Sequence, residues 1–370
     1  MDKGFVQLKI SFYAPLKPPN HPVPSGDRQM ARQLMRALRL SGHDVRLASE
    51  LRVFLTDSSP AAFEAARLQA KAEIDRLEGE WQLSGSPHLW FCYHPYYKAP
   101  DLLGPELCRA ARSAYVTAEA SWSERRGQGA WAAAQGLVVD AIGLARVNIC
   151  FTARDRAGLQ KALPSARVAM LAPFIDTSPF ETMAPIDTPA RLVTIAMMRA
   201  GDKFESYRML SAALAEIQDL PWTLTVVGDG KLRSEVQGLF ANFPERRIDW
   251  LGEADAAGVA KVLCRGGIYV WPGCGEAYGL SYLEAQAAGL PVVAQNTAGV
   301  PEVVCHGETG LLTPAGDVQA FAEAIKWLLC NGRERVAMAA AARRFVLGNR
   351  SLGAAALGLD DLLLKAADTR

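Results

Sequence analysis

Short apolar runs rich in β-branched and aromatic residues alternate along the whole chain with longer segments of helical periodicity. This alternation is typical of βαβ units, in which helices cover both faces of a parallel sheet. In the first half, the apolar runs predict strands at 6–14, 44–48, 88–93, 114–117, 147–152 and 168–171. In the second half, they predict strands at 192–198, 223–227, 248–251, 267–271 and 291–295.

The two halves are separated by residues 172–189, which contain four prolines and little periodicity and therefore predict an interdomain linker. We expect an α/β protein with two doubly wound, Rossmann-like domains, residues 1–172 and 173–350, that face each other. Such folds bind ligands at the carboxyl ends of their strands, so a cleft between the domains is expected to hold the site. A last helix is predicted at 352–370, after a break near Gly348.

Composition restricts the classes of protein that need to be considered. With 370 residues, 50% of them hydrophobic, the chain is long enough for two cores, and a net charge of +1 offers no electrostatic argument for nucleic acid. No apolar run approaches the roughly 18 residues of a membrane span, and the first four residues lack the order of a signal peptide, so we expect a cytoplasmic protein. The seven cysteines are widely spaced, which predicts reduced and mostly buried thiols.

The segment from 267 to 295 places two carboxylates around a predicted helix start. The apolar strand ends at Pro272, Glu276 lies in the following loop, and a helix is expected from Gly279 until Gly289 ends it. The first backbone N–H groups of a helix have no partners and lie at its positive end, which suits a phosphate. The backbone of Gly279, Leu280 and Ser281 is therefore predicted to bind a diphosphate.

The two carboxylates are then placed for the two ends of a sugar nucleotide. Carboxylates accept paired hydrogen bonds from adjacent hydroxyl groups. We expect Glu276 to bind the hexose of the donor and Glu284, inside the first turns of the helix, to bind the ribose.

Two cations, Arg199 and Lys203, follow the strand at 192–198 and precede a helix. Fixed cations stabilise the negative charge that builds up on a departing nucleoside diphosphate. A solvated pair at the end of a strand is the alternative. No Asp-x-Asp motif occurs in the chain, so the sequence predicts no metal and no cofactor beyond the nucleotide-sugar substrate.

Glu276 and Glu284, with seven residues between them and Gly-Leu-Pro-Val-Val after them, resemble the signature of the retaining GT-B glycosyltransferases of family 4. Residues 192–203 resemble the strand and loop that carry the phosphate-binding Arg and Lys of the family. Residues 223–230, with Gly228, resemble its next strand and glycine turn, and 299–312 resemble the segments after the signature. The match is dense in the second half and scattered in the first.

The resemblance implies transfer of a sugar, with retention, from a nucleoside-diphosphate donor to a hydroxyl acceptor, which is a glycan, a lipid-linked sugar or a small molecule. It also implies that the last helix packs on the first domain and that the loop with Gly26 approaches the diphosphate and the acceptor. The chain departs from the family in three places. Arg199 and Lys203 are four positions apart rather than five, one glycine of the usual pair remains at Gly26, and Glu119 replaces a frequent histidine.

Three features of the first half have both a functional and a structural interpretation. Either His94 or Glu119 orients the acceptor hydroxyl or accepts its proton, or both residues are structural. Residues 122–131, basic and aromatic, contact the acceptor or form a surface loop. The arginine stripe of the first helix contacts anionic lipid or, as the spacing favours, is a solvated face; it comprises Arg28, Arg32, Arg36 and Arg39.

Two other functions fit the same architecture: a sugar-nucleotide 2-epimerase and a non-catalytic nucleotide-sugar-binding protein. An epimerase requires an acid and a base near C2 of the sugar instead of an acceptor site. A nicotinamide dehydrogenase is disfavoured, because the turn with Gly228 and Gly230 lacks the third glycine of the dinucleotide-binding motif.

Overall fold

The computed structural model describes residues 6–368, which form two compact units. The first unit comprises the described residues up to Ala172 and those from Leu352 onward, and the second runs from Pro173 to Ser351. Residues 1–5, on which the absence of a signal peptide was inferred, and residues 369–370 of the predicted last helix lie outside the described part.

The first unit is built on a parallel sheet of six strands in the order β2-β1-β3-β4-β5-β6. The strands are β1 (Lys9–Tyr13), β2 (Asp44–Leu47), β3 (Leu89–Tyr93), β4 (Ala114–Ala118), β5 (Val147–Cys150) and β6 (Val168–Met170). The helices are α1 (Gly26–Leu40), α2 (Pro60–Ser84), α3 (Gly104–Ala111), α4 (Ala132–Leu144) and α5 (Ala153–Ala162). Every residue of β3 is buried, as expected for an inner strand covered by helices on both faces.

The second unit has a parallel sheet in the order β12-β11-β10-β7-β8-β9. Its strands are β7 (Arg191–Ile195), β8 (Thr223–Val227), β9 (Ile248–Gly252), β10 (Ile268–Val270), β11 (Val292–Gln295) and β12 (Gly310–Thr313). Its helices are α6 (Ser178–Glu181), α7 (Asp202–Ala215), α8 (Arg233–Leu239), α9 (Ala256–Leu263), α10 (Leu280–Ala287), α11 (Val318–Cys330) and α12 (Gly332–Asn349).

The last helix, α13 (Leu352–Asp368), belongs to the first unit and packs on α1. The Ser41 hydroxyl donates to the Ala356 carbonyl at 2.8 Å, and the buried His43 ring lies 3.3 Å from the Asp360 carboxylate. The chain thus returns to its first unit after completing the second.

All eleven predicted strands are present, and the α/β fold with two doubly wound sheets is confirmed. The strand expected at 192–198 ends earlier, at Ile195, because the Met198 N–H bonds instead to the carbonyl of Asp229 in the next loop. Strand β12 was not predicted, since its only apolar residues, Leu311 and Leu312, lie between Gly310 and Thr313 and do not form an apolar run. The break expected near Gly348 lies two residues later, at Arg350 and Ser351 between α12 and α13, because one glycine costs a helix only about 1 kcal/mol.

The proline-rich segment 172–189 is not a bare linker but is bonded to the second unit. It contains α6, the Ile186 N–H donates to the Cys264 carbonyl at 2.7 Å, and the buried Arg335 guanidinium pairs with Asp187. These contacts hold the start of the second unit against its own helices.

Three further expectations concern side chains and hydropathy. All seven cysteines are free, and four of them are buried, as predicted. Within residues 6–368, none of the helices has both the length and the apolar character needed to cross a bilayer. On α1, Arg28 donates to the His21 carbonyl at 2.8 Å, Arg32 to the Pro19 carbonyl at 2.6 Å and Arg39 to the Val45 carbonyl at 2.9 Å, so much of the arginine stripe binds the protein's own backbone.

Candidate functional site

Strands β7 and β10 are neighbours in the second sheet although two other strands separate them in sequence. The strand order reverses between them, and such a switch point leaves a crevice at the carboxyl ends of the two strands. A cavity of about 330 Å³ lies there, lined by Arg199 and Lys203 after β7 and by Cys274, Gly275 and Glu276 after β10. The fold therefore brings three of the predicted site residues together.

Lys203 and Glu276 form an ion pair inside this cavity. The Lys203 Nζ lies 2.5 Å from Glu276 Oε2, and each side chain is about one fifth exposed, 19% and 20%. The indole N–H of buried Trp271 lies 3.5 Å from the same carboxylate oxygen, and the ammonium lies 5.4 Å from the centre of the Trp271 ring. The pair is thus held against an aromatic floor and shielded from most of the solvent.

Arg199 is the exposed cation of the cavity. Within residues 6–368 it forms no ion pair, in contrast to Lys203. A guanidinium that is not bound to a carboxylate is available for a phosphate group.

Glycines let the loops after β7 and β8 lie against each other. Gly228 has φ 144°, and a Cβ atom there would lie 1.9 Å from the Ala196 carbonyl oxygen. Gly230 has φ 155°, and a Cβ atom there would lie 2.2 Å from the Met198 carbonyl oxygen. The predicted glycine turn is therefore a steric requirement of the strand edge that carries Arg199.

Helix α10 begins beside the cavity. Its N-cap, Gly279, has φ 80° and provides no side chain to cap the helix, so the first N–H groups of α10 receive no side-chain cap. Buried Tyr282 lies beneath Gly279 and donates to the Trp271 carbonyl at 3.1 Å, which joins the helix start to the loop of Glu276. Glu284 lies in the first turns of α10, as the sequence predicted. Its side chain is half-buried.

In the first unit, His94 and Glu119 follow the neighbouring strands β3 and β4. The backbone N–H of His94 donates to the Ala118 carbonyl, and the Tyr93 hydroxyl donates to Glu119 Oε2 at 2.9 Å. Both His94 and Glu119 have φ 56°, a left-handed conformation that costs a non-glycine residue roughly 1–3 kcal/mol. Strain of this kind is concentrated at functional sites.

Asp27 joins this cluster from the start of α1. Its Oδ1 lies 3.0 Å from His94 Nδ1, while Ser25 provides the N-cap of the helix by accepting from the Arg28 N–H at 3.2 Å. Gly26 is exposed, and a Cβ atom there would meet nothing within 4 Å, so sterics in the described chain do not require glycine at this position. Strand order also reverses between β1 and β3, so Asp27 and His94 lie at the switch point of the first sheet.

Burial and charge shift the pKa values of the cluster. Burial opposes charge on the imidazole, but the carboxylates of Glu119 and Asp27 outweigh it and raise the pKa of His94 to about 9. Burial raises the pKa of Glu119 to about 7, against the opposing effect of His94. Burial also disfavours the charged Asp27, yet the bond to His94 leaves the pKa of Asp27 below its usual value. Glu119 therefore titrates near neutral pH beside a charged histidine.

No motif in the sequence identifies Asp27 or Tyr93 as a member of this cluster, or Trp271 as the residue beneath the Lys203 and Glu276 pair. Asp27 lies in the first turn of a helix, where acidic residues are common, and the two aromatic residues belong to apolar strand runs. Tyr93 and Trp271 have one sequence signal, their position at the end of an apolar run that leads into a loop with a candidate site residue.

Among residues 6–368, no group of three or more histidine, cysteine, aspartate or glutamate side chains is arranged to hold a metal ion. The metal independence expected from the sequence remains a prediction.

The residues that line the cavity lie in a segment of the chain that is similar to a known protein family. Residues 189–331 match the family model described as Glycosyl transferases group 1. A phosphatidyl-myo-inositol mannosyltransferase of Mycobacterium leprae is 41% identical over 130 residues, and the sulfoquinovosyl transferase SQD2 of Arabidopsis thaliana is 27% identical over 158 residues. These matches cover 33% and 42% of this chain, but only 33% and 30% of the relatives' own lengths.

Solved structures match over both units. Sucrose-phosphate synthase from Thermosynechococcus elongatus has a TM-score of 0.74 at 18% identity, covering 96% of this chain and 98% of its own. Anabaena Alr3699/HepE, solved in complex with UDP, has a TM-score of 0.71 at 15% identity, covering 96% and 100%. This chain therefore has the GT-B fold, and the segment that carries the Arg199, Lys203 and Glu276 cavity is similar to the group 1 glycosyl transferases.

Proposed function

We propose that this protein is a glycosyltransferase that moves a sugar from a nucleoside-diphosphate sugar to an acceptor hydroxyl group, with retention at the anomeric carbon and without a metal ion. The observation that carries the proposal is the meeting of Arg199, Lys203 and Glu276 around one cavity at the switch point of the second sheet. Similarity of the same segment to the group 1 glycosyl transferases supports it.

The diphosphate binds to the positive groups of the cavity. Arg199 and Lys203 supply two cations, and the start of α10, with the backbone of Gly279, Leu280 and Ser281, supplies N–H groups and the positive end of a helix dipole. Glu276 accepts hydrogen bonds from the sugar, and Glu284 from the ribose. These contacts replace the charge that a divalent cation would otherwise provide.

The reaction forms a bond between the acceptor oxygen and the anomeric carbon and breaks the bond from that carbon to the diphosphate. Negative charge builds up on the departing oxygen, where the two fixed cations stabilise it. Retention is inferred from the resemblance of the segment with Glu276 and Glu284 to the signature of the retaining GT-B glycosyltransferases. It requires the acceptor to approach on the face from which the diphosphate leaves, so a protein nucleophile is not needed.

The acceptor proton passes to the Asp27, His94 and Glu119 cluster of the first unit. A general base is most effective when its pKa lies near the working pH. Burial raises the pKa of Glu119 to about 7, so the deprotonated carboxylate is populated at neutral pH. The side chains of His94 and Asp27 are 21% and 36% exposed and can contact an acceptor, whereas Glu119 is buried.

The first test is a thermal-shift panel of nucleoside diphosphates and their sugars, without added metal, because a ligand that binds only the folded protein raises its melting temperature. The stabilising donor is then incubated with saccharide and lipid-linked acceptors, and NMR of the product reports the anomeric configuration. An α-linked donor should give an α-linked product. Absence of stabilisation by any nucleoside diphosphate would refute the proposed donor site, and an inverted product would refute retention.

A further inference from the structure

A continuous run of aromatic rings leads from the buried end of β3 to the surface of the first unit. The ring of His94 lies 5.5 Å from that of Tyr96, Tyr96 lies 5.3 Å from Tyr97, and Tyr97 lies 5.1 Å from Trp131, measured between ring centres. The run therefore starts at the proposed proton-accepting cluster and ends at the short turn Gly129–Trp131.

Backbone contacts hold the two loops that carry these rings. The Ser121 N–H donates to the Pro95 carbonyl at 3.1 Å, which joins the loop after β4 to the loop after β3. Tyr96 and Ala99 exchange two backbone hydrogen bonds, of 3.2 and 2.8 Å, and so close the turn that presents Tyr97. These hydrogen bonds therefore fix the positions of the loops that carry the aromatic rings.

The outer part of the run does not form a core. Residues 124–130 are all exposed, and Tyr96, Tyr97 and Trp131 are each partly exposed. Aromatic side chains offer a large, rigid contact area at low entropic cost, and a group of them at a surface marks a binding site more often than a lone exposed residue does.

Two cations flank the rings. The Arg126 guanidinium lies 4.9 Å from the centre of the Tyr97 ring, and the Lys98 ammonium lies 5.6 Å from that of Trp131. Within residues 6–368, neither forms an ion pair, and the acid of the same segment, Glu124, is bound to Lys161 at 2.7 Å. The surface is locally positive although the whole chain has a net charge of only +1.

We propose that Tyr96, Tyr97 and Trp131, with Lys98 and Arg126, form the acceptor-binding surface and bind a sugar ring that carries an anionic group, a phosphate or a carboxylate. The C–H groups of a sugar ring pack on aromatic faces, while its hydroxyl groups stay in contact with water. The two cations bind the anion. This inference rests on the proposed function, because it names the class of acceptor for the same reaction.

The surface is tested in solution without donor. Saturation-transfer NMR titrations measure the binding of glucose 6-phosphate, trigalacturonic acid, neutral maltotriose and inorganic phosphate to the full chain. The two anionic sugars separate phosphate from carboxylate as the preferred group. We expect at least one of them to bind about tenfold more tightly than maltotriose and than inorganic phosphate, which corresponds to roughly 1.4 kcal/mol.

Variants assign the binding to this surface. Trp131→Ala and Tyr97→Ala should each weaken binding of the anionic sugar about tenfold, which corresponds to roughly 1.4 kcal/mol. Arg126→Gln should weaken the binding of the two anionic sugars and leave the binding of maltotriose unchanged. Trp327→Ala, which removes a tryptophan 41% exposed on α11 of the second unit, is the matched control and should bind as the wild type. Melting temperatures establish that each variant is folded.

Three results would overturn the inference: no binding of either anionic sugar, unchanged binding by folded Trp131→Ala, or inorganic phosphate binding as tightly as glucose 6-phosphate. Thermal shifts with nucleoside diphosphates on the same variants separate this inference from the proposed function. If the donor still stabilises the protein while sugar binding is unaffected by the variants, only the inference fails. If no nucleoside diphosphate stabilises the wild type, the proposed function fails.

Discussion

The Lys203 ammonium lies 2.5 Å from Glu276 Oε2, so the cation proposed for the diphosphate and the carboxylate proposed for the sugar are bound to each other. A diphosphate that binds Lys203 competes with Glu276 for the same ammonium. Release of Glu276 would then make its carboxylate available to the sugar hydroxyl groups. Binding of the two halves of the donor is therefore coupled through this pair.

Glu276→Gln tests the coupling, because it keeps the shape of the side chain and removes its charge. With its competitor gone, Lys203 should bind a nucleoside diphosphate more tightly, by several-fold and up to about tenfold or ~1.4 kcal/mol. The additional affinity that the sugar confers should be lost. Calorimetric titration with the diphosphate and with the diphosphate sugar measures the two affinities, and their difference gives the contribution of the sugar.

The matched control for that experiment is Glu205→Gln, which removes an exposed carboxylate of α7 paired with Arg208. It should leave both affinities unchanged. An equal loss of affinity for the two ligands in Glu276→Gln would contradict the coupling.

Arg199→Ala should lower turnover more than any other single substitution at the cavity. Removing one charged donor aimed at a leaving group typically costs about 10²–10³ in kcat. Steady-state kinetics measure it, with Arg208→Ala as control, since Arg208 is an exposed arginine of α7 bound to Glu205. Full turnover in Arg199→Ala would remove this residue from the mechanism.

Glu284→Ala should raise the Kd of the donor by about tenfold to a hundredfold, because a charged acceptor of ribose hydrogen bonds is worth roughly 1.5–3 kcal/mol. The loss should be the same for the diphosphate with and without its sugar, since only the ribose contact is removed. A loss confined to the diphosphate sugar would instead assign Glu284 to the sugar.

The charge on His94 predicts a pH dependence of stability. Its pKa is raised from 6.5 to about 9, so the folded protein holds the proton more tightly than the unfolded chain does. This stabilisation is complete below pH 6.5 and is lost as the pH rises through about 9. Its size should be on the order of 1–2 kcal/mol, allowing for solvent contact of the ring.

Denaturant unfolding between pH 6 and 10 measures this loss. Asp27→Asn removes one of the two carboxylates that raise the pKa and should flatten the profile. Asp140→Asn, at an exposed position on α4, should retain the wild-type profile. If the free energy of unfolding changed with pH identically in the wild type and in Asp27→Asn, the Asp27 and His94 pair would not contribute to the pH dependence of stability.

Gly228→Ala should destabilise the second unit by about 3 kcal/mol, because the new Cβ would clash with a carbonyl oxygen and the residue has positive φ. Gly238→Ala, at an exposed helical position where a Cβ meets nothing within 4 Å, should instead stabilise by about 0.5–1 kcal/mol. Chemical denaturation compares the two, and equal effects would refute the steric role of Gly228.

Removal of metal should leave the reaction unchanged. Arg199, Lys203 and the start of α10 are proposed to supply all the positive charge that the diphosphate needs, so dialysis against EDTA should not alter kcat. Elemental analysis of the dialysed protein verifies that metal was removed. Loss of turnover that returns on addition of Mg²⁺ or Mn²⁺ would overturn the metal-independent reaction.

Much of the architecture follows from local patterns. Eleven strands were predicted because buried parallel strands are apolar on both faces and so appear as runs, such as 89–93, that need no knowledge of their neighbours. The positions of Glu276 and Glu284 around α10 were equally local, since Gly279 and Gly289 mark the two ends of one short helix. Strand β12 was missed, because two leucines between a glycine and a threonine give no strong local signal.

The sequence by itself determined which segments become strands and helices and which polar side chains follow them, since hydrophobic period, capping residues and glycines act within a few positions. Tertiary structure alone decided which of those side chains meet. Lys203 pairs with Glu276 across 73 positions, and Asp27 with His94 across 67, because each sheet reverses its strand order at that point. Strand order depends on how helices pack over a whole sheet, and no local period encodes it.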